Sequence, residues 1–324
     1  MTRVAAIDCG TNSIRLLIAD LDGPSGLRDV VRTLEVVRLG EGVDRTGRFS
    51  KAALDRTIAA VRRYAELCRE NGVERLRFVA TSATRDAANR DEFVDAVDAI
   101  LGVPVEVIPG TEEAALSFRG ALTALPASER TNPTQIATQA PKHLVVDLGG
   151  GSTELVLGGS TPESAYSMDV GCVRLAERNI VSDPPIEAEL AAIRHDVTAA
   201  LDTAAATVDL SQATEVVGVA GTVTTITAHA LGLTSYDPVA ISGSRVPLAA
   251  ILRSCDALSH MPRAERAALP YMHPGRVDVI TAGATIWSTI LHRVAEATAA
   301  TGHQLEWVTT SEHDILDGVA LDLE

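Results

Sequence analysis

Two aspartates in this chain each close an apolar run and are followed by a turn of small residues. The first set is Asp8, Gly10, Thr11, Asn12 and Ser13; the second is Asp147, Gly149, Gly150, Gly151, Ser152 and Thr153, with Glu154 next. Carboxylates beside a row of small donors suit a polyanion that arrives with a divalent cation. The acids would hold the metal or its waters, and backbone N–H groups would take the phosphate oxygens. Three glycines in succession are costly to order, which points to use of the backbone itself in the second turn.

The two sets are copies of one pattern. Val4 to Leu17 matches His143 to Val156 without a gap, pairing Asp8 with Asp147, Gly10 with Gly149, Ser13 with Ser152 and Leu16 with Leu155. In each copy a segment of alternating polar and apolar residues follows the turn, so both read as strand, tight turn, strand. Two such hairpins turned toward each other would aim two acids and two rows of N–H groups into one cleft. Other phosphate-binding devices are excluded. A dinucleotide loop needs a helix after its glycines, but Ser152 to Gly158 reads as strand, and no GxxxxGK[ST] occurs. Taken alone, the turn at 8–13 has a simpler explanation as ordinary hairpin chemistry.

Further candidates are weaker. Thr81-Ser82-Ala83-Thr84-Arg85-Asp86 joins a strand to a helix; Ser82 and Thr84 suit N-capping, and Arg85 could reach a phosphate. Glu112 and Glu113 follow Pro109-Gly110-Thr111 in the first turn of a helix, where carboxylates complement the dipole in any case. Val216 to Thr222 is a strand with a glycine turn into a helix, a place for an anion or a nucleotide, or simple packing. The eight histidines form no HExxH or similar pair, and Cys9, Cys68, Cys172 and Cys255 have no zinc spacing. They read as buried thiols of a reducing compartment.

The elements that must hold these residues fall into two halves. The 324 residues exceed one hydrophobic core, and 46% hydrophobic with 22% charged content is ordinary for a soluble globular protein. The first half reads as strands at about 3–9, 13–20 and 29–39, a helix over 51–71, a strand at 76–81, a helix at 86–101, a strand at 103–108 and a helix at 111–124. Leu54, Ile58, Val61, Tyr64 and Leu67 mark one face of the helix over 51–71, which ends at Asn71-Gly72. Residues 126–142 carry three prolines and read as a linker. Strands at about 143–148, 152–158 and 164–170 restart the pattern. Helices at 172–180 and 186–205, a strand at 215–219 and a helix from Thr222 follow, then a helix over 277–299, a strand at 305–310 and a helix over 313–322. The expectation is two α/β domains, 1–125 and 126–324, each opening with a three-stranded βββ unit on a mixed sheet flanked by helices. The closing helix is free to pack back on the first domain.

The net charge of −15 argues against a nucleic-acid binder working by broad electrostatics. An anionic substrate would have to come with its cation. Lysine is confined to Lys51 and Lys142 among 28 basic residues, so side-chain phosphate contacts fall to arginine. No apolar run approaches bilayer length and no signal peptide is visible, so a cytoplasmic protein without membrane attachment is expected.

Taken in order, Asp8-x-Gly10-Thr11-Asn12-Ser13, Ala80-Thr81-Ser82-Ala83-Thr84-Arg85, Glu112-Glu113-Ala114, Asp147-x-Gly149-Gly150-Gly151-Ser152-Thr153-Glu154 and Gly171-Cys172-Val173-Arg174-Leu175 resemble the exopolyphosphatase and guanosine pentaphosphate phosphohydrolase family. That family belongs to the actin, sugar-kinase and heat-shock ATPase superfamily. The resemblance implies two duplicated ribonuclease-H-like domains with the active site between them, and Mg²⁺ (or Mn²⁺) as cofactor. It implies Glu113 as the general base, and Asp8, Asp147 and Glu154 as acids for the metal or its waters. Gly10, Thr11, Asn12, Ser13, Arg85, Gly149, Gly150, Gly151, Ser152 and Thr153 would form the phosphate cradle. The sequence stops at Glu324, without the extra C-terminal helical domain of longer members, which implies short chains as substrates.

The expected activity is therefore metal-dependent release of terminal phosphate from inorganic polyphosphate by direct water attack, since no activated nucleophile is apparent. Guanosine pentaphosphate is the alternative substrate; an acceptor kinase and a non-enzymatic nucleotide or polyphosphate sensor are the rivals. A homodimer is implied by resemblance alone.

Overall fold

The computed structural model describes residues 2–21, 26–125 and 141–324. It divides into two compact units, Met1–Gly120 with Ile315–Glu324, and Ala121–Asp314. Except for Pro141 and Lys142, the expected linker lies outside the described residues.

In the first unit β1 (Arg3–Cys9), β2 (Ser13–Leu21) and β3 (Leu27–Val36) form an antiparallel meander. Strands β4 (Arg75–Ala80) and β5 (Val105–Val107) join parallel to β1, giving the order β3-β2-β1-β4-β5. Strand β1 is apolar at nearly every position because both of its faces are covered. Ala5, Ile7 and Cys9 face a core shared with α2 (Lys51–Glu70), where Ala60, Val61 and Tyr64 lie, and with Phe93 and Val97 further along the chain. Val4 and Ala6 point the other way, onto the last helix of the chain, Ile315–Leu321. The alternation follows from the two-residue period of a strand.

The second unit repeats this plan. Strands β6 (His143–Leu148), β7 (Thr153–Gly158) and β8 (Pro162–Met168) form the meander, and β9 (Glu215–Val219) and β11 (Trp307–Thr310) add parallel strands. The order β8-β7-β6-β9-β11 reproduces that of the first sheet, and β10 (Arg245–Pro247) extends it as an antiparallel edge. Two mixed α/β sheets of one topology make this a duplicated ribonuclease-H-like fold. The second core gathers on Trp287 of the long helix Ile280–Ala300, with Val146, Leu155, Ile193 and Ile226.

The helices of the first unit are α1 (Val43–Thr46), α2, α3 (Ser82–Asp86), α4 (Arg90–Leu101) and α5 (Gly110–Leu122). Those of the second are α6 (Cys172–Asn179), α7 (Glu187–Ala204), α8 (Ala220–Ala230), α9 (Pro238–Ile241), α10 (Leu248–His260), α11 (Arg263–Ala268) and α12 (Ile280–Ala300). Helix α13 (Ile315–Leu321) ends the chain. The helix expected over 86–101 starts only at Arg90, as α4, and a separate short helix, α3, precedes it at Ser82–Asp86. Asn89 stands between them at the N-cap of α4: its Oδ1 accepts from the Phe49 N–H at 2.8 Å and its Nδ2 donates to the Phe49 carbonyl at 3.2 Å. That side chain serves a distant loop, and α4 starts after it. Strand β3 ends at Val36 instead of near residue 39, because Val37 and Arg38 donate their N–H groups to the Asn12 carbonyl at the first turn.

Helix α13 is fastened to the first sheet by packing and by charge. Ile315, Leu316, Val319 and Ala320 pack with Val4, Leu17, Ala19, Val79 and Leu116. Asp317, 1% exposed, receives the Arg32 guanidinium of β3 at 2.5 and 3.2 Å. Gly318 lies so near α5 that a Cβ would sit 2.1 Å from the Leu116 carbonyl oxygen. Gly318→Ala is expected to destabilise the first unit by about 3 kcal/mol, since neither backbone can yield. Chemical denaturation followed by circular dichroism measures it, and a variant as stable as the parent would refute the close approach.

Candidate active site

The turn of the first unit is built from the β1–β2 hairpin. Gly10 N–H donates to the Ser13 carbonyl at 3.0 Å, and the corresponding bond in the second unit, Gly149 to Ser152, has the same length. Asp8 at the end of β1 is 4% exposed, and its register partner on β2 is Arg15. Arg15 donates to Asp8 Oδ2 through Nε at 2.9 Å and Nη2 at 2.5 Å. Helix α3 meets this turn and leads on to α5. Thr11 Oγ1 and Ser82 Oγ, at the start of α3, lie 2.9 Å apart in a buried hydrogen bond. From the last turn of α3, Arg85 Nη1 donates to Glu113 Oε2 at 2.8 Å and to the Ile108 carbonyl at 2.9 Å. Glu113 is 8% exposed in the first turn of α5, where the helix dipole favours a carboxylate. Its neighbour Glu112 turns instead to Arg77 Nη2, at 2.7 Å, in a surface network with Glu106 and Asp322.

In the second unit the register partner of Asp147 is Glu154, and that of Glu154 on β8 is Ser167. Ser167 Oγ donates to Glu154 Oε1 at 2.7 Å. Directly opposed residues on antiparallel strands project from one face of the sheet, so Asp147 and Glu154 stand side by side, 6% and 1% exposed. The glycine turn is fixed from behind by α6. Cys172 N–H donates to the Gly149 carbonyl at 3.0 Å, Val173 and Arg174 N–H to that of Gly150 at 2.9 and 3.1 Å, and Arg174 Nε to that of Gly151 at 2.7 Å. In a trans peptide the next N–H points opposite to the carbonyl. With three carbonyls turned to α6, the N–H groups of Gly150, Gly151 and Ser152 point the other way, the arrangement of an anion-binding nest. Gly171 makes the approach possible, for a Cβ there would lie 2.3 Å from the Gly150 oxygen.

Strand β9 runs beside β6, placing Val219 opposite Asp147, and α8 starts at once. The Arg276 guanidinium covers the Gly221 backbone, and its Nη1 donates to Thr225 Oγ1 at 3.1 Å. The Tyr236 hydroxyl lies 2.6 Å from Glu312 Oε1 and 2.7 Å from Thr224 Oγ1; burial and the Glu312 charge push its pKa up to about 12, so it stays a donor. Burial also raises the Cys172 thiol, against the opposing pull of Thr222 and Arg276. All four cysteines are buried and free.

A divalent ion fits the second turn. No group of three or more His, Cys, Asp and Glu capable of holding a metal occurs among the described residues. Mg²⁺ does not require such a cage: it takes one or two carboxylates and completes its shell with water and substrate phosphates. The adjacent oxygen donors of Asp147 and Glu154 match that demand.

Asp8 and the Gly10–Ser13 turn thus share one hairpin of the first unit, with Thr11 tied to Ser82 of α3 and Arg85 of α3 tied to Glu113; Asp147, Gly149 to Thr153 and Glu154 share one hairpin of the second. It also shows how some of their atoms are engaged. Thr153 Oγ1 donates to the Val170 carbonyl at 2.6 Å in a fully buried position, Thr11 serves Ser82, and Arg85 serves Glu113. Arg15, Arg174 and Arg276 were not among the sequence candidates. Arg15 was legible, since the two-residue period of the hairpin sets it beside Asp8; Arg174 lies in one of the stretches that carry the family resemblance, without a role given to it, and Arg276 acts from a distant element and left no such sign.

The family model of the Ppx/GppA phosphatase family matches residues 17–303 of the chain. A protein named exopolyphosphatase 2 from Mycobacterium tuberculosis is 48% identical, over 100% of this chain and 99% of that protein. A solved structure described as exopolyphosphatase-like superposes with a TM-score of 0.91 at 46% identity, covering 99% of this chain and 97% of the other. An Aquifex aeolicus member of the Ppx/GppA family superposes at 0.76 with 28% identity, covering 99% and 97%.

Proposed function

The chain belongs to the Ppx/GppA phosphatase family, and from that premise we propose that it is an exopolyphosphatase, releasing terminal phosphate from inorganic polyphosphate. The observation that carries the reading is the second of the matched turns, with its nest and the Asp147–Glu154 pair; the first unit adds a buried carboxylate, Glu113, held at the start of α5 by Arg85. The name of the 48% identical relative favours polyphosphate over guanosine pentaphosphate.

In this reading the N–H groups of Gly150, Gly151 and Ser152 bind phosphate oxygens in the second unit, and the donors of the Gly10–Ser13 turn are the phosphate contacts of the first. Asp147 and Glu154 would hold a divalent ion, Mg²⁺ before Mn²⁺, which would supply charge neutralisation for the phosphoryl oxygens. Glu113 orients the attacking water and accepts its proton at a carboxylate oxygen. Phosphoryl transfer asks chiefly for placement and charge compensation, and these residues supply both. Asp8 has a different task from Asp147, that of fixing Arg15. Short chains as preferred substrates, a homodimer and a cytoplasmic location belong to the same proposal; light scattering and cell fractionation test the last two. Among the described residues no helix is long and apolar enough to cross a membrane.

Phosphate release from polyphosphates of several lengths and from guanosine pentaphosphate, with Mg²⁺ or with EDTA, tests the reading. Release from polyphosphate without an acceptor is expected, slowed at least about tenfold by the chelator. A requirement for an acceptor would identify a kinase. Tight binding without release, under Mg²⁺ or Mn²⁺, would identify a sensor.

A further inference from the structure

We propose that Arg85 is a positioning residue for the base, not a ligand of the phosphate chain; this rests on the reading of Glu113 above. One nitrogen, Arg85 Nη1, donates both to Glu113 Oε2 at 2.8 Å and to the Ile108 carbonyl at 2.9 Å. These two acceptors flank the entry to α5, where Pro109 O receives the N–H groups of Glu112 and Glu113. The guanidinium therefore ties the carboxylate to the mouth of its own helix. A glutamate has three side-chain torsions, and one oxygen held at a fixed point removes most of that freedom.

The other end of the link is the phosphate turn. Arg85 N–H donates to the Thr81 carbonyl, Thr81 N–H to that of Cys9, and Ser82 Oγ pairs with Thr11 Oγ1. Helix α3 is thus a short strut between the Gly10–Ser13 turn and Glu113. The side chains are 24% and 10% exposed, so the pair is largely sheltered from water. Glu112, the adjacent acid, is bound by Arg77 and does not compete for Arg85. A base that must meet one water at one angle gains most from such a support, since displacement by about 1 Å can cost 10²-fold in rate.

Arg85→Gln and Arg85→Lys, each made alone and combined with Glu113→Gln, test the assignment. Arg85→Gln should lower kcat by about 30-fold or more and leave KM for tripolyphosphate within about twofold. Arg85→Lys keeps a donor and a charge, and should recover about tenfold of that loss. In the Glu113→Gln background, calorimetric binding of tripolyphosphate with Mg²⁺ should not change by more than about twofold when Arg85 is also replaced. A tenfold weaker affinity there, a raised KM with kcat retained, or an Arg85→Gln enzyme of normal kcat would each overturn the positioning role. If Arg85→Gln fails to fold, Arg85→Lys decides by the same split between kcat and KM. Normal turnover by Glu113→Gln alone is a separate failure, that of Glu113 as base.

Discussion

Glu113→Gln should lower kcat by about 10²–10⁴-fold and leave the binding of polyphosphate with Mg²⁺ near that of the parent. The substitution keeps the length and planarity of the side chain, and its amide oxygen can still accept from Arg85, so the change is confined to basicity. The loss corresponds to about 3–5 kcal/mol of barrier, the usual share of a positioned proton acceptor. Glu112→Gln supplies the contrast. Glu112 stands one residue away at the same helix start, so a dipole effect alone would make the two equivalent. It faces Arg77 in an exposed network instead, and its replacement should leave kcat within about twofold. Steady-state phosphate release and calorimetry on the two variants decide the matter. A Glu113→Gln enzyme retaining a tenth of its turnover, or equal losses from both variants, would remove Glu113 from the role of base.

What the sequence makes legible follows from local order along the chain. The repeat of Asp8 to Leu16 at Asp147 to Leu155 is a short-range pattern, and it anticipates both hairpins, the shared bond from the first glycine to the serine, and the like topology of the sheets. The helix over 51–71 is equally local: Ser50 accepts from Ala53 N–H at its start, and Gly72 takes a left-handed φ of 66° past its end. Long-range partners are different in kind. Asn89 gives its amide to Phe49 and so delays the start of α4, Arg174 braces a turn preceding it by more than one strand, and Arg276 covers Gly221 from beyond three helices. None of these contacts has a period or spacing to betray it, though Arg174 belongs to a stretch that carries the family resemblance. The same limit explains Arg85. Its position by the turn suggests a phosphate contact, but its partner is set by where β5 delivers Ile108 and α5 begins, a tertiary fact.

The matched hairpins also permit a comparison in which the same chemical change has opposite consequences. Asp147→Asn and Glu154→Gln should each raise the Mg²⁺ concentration for half-maximal activity by about tenfold or more, whereas Asp8→Asn should leave it unchanged. The reason lies in one position of the repeat. The residue across the ladder from the strand-end aspartate is arginine in the first copy, Arg15, and glutamate in the second, Glu154. In the first hairpin an arginine bonded to Oδ2 at 2.5 and 2.9 Å supplies the positive charge. In the second, two carboxylates share one face of the sheet, and a hard divalent ion is the natural complement to both. Asp8→Asn should cost stability instead, about 1–2 kcal/mol, because a partly buried guanidinium loses its anion; its side chain is 20% exposed, which limits the penalty. Metal titrations of phosphate release, run beside denaturation curves for all three variants, separate the two effects. If Asp8→Asn shifted the Mg²⁺ requirement as far as Asp147→Asn, both turns would serve the ion alike, and the divergence at Arg15 and Glu154 would have no part in dividing their work.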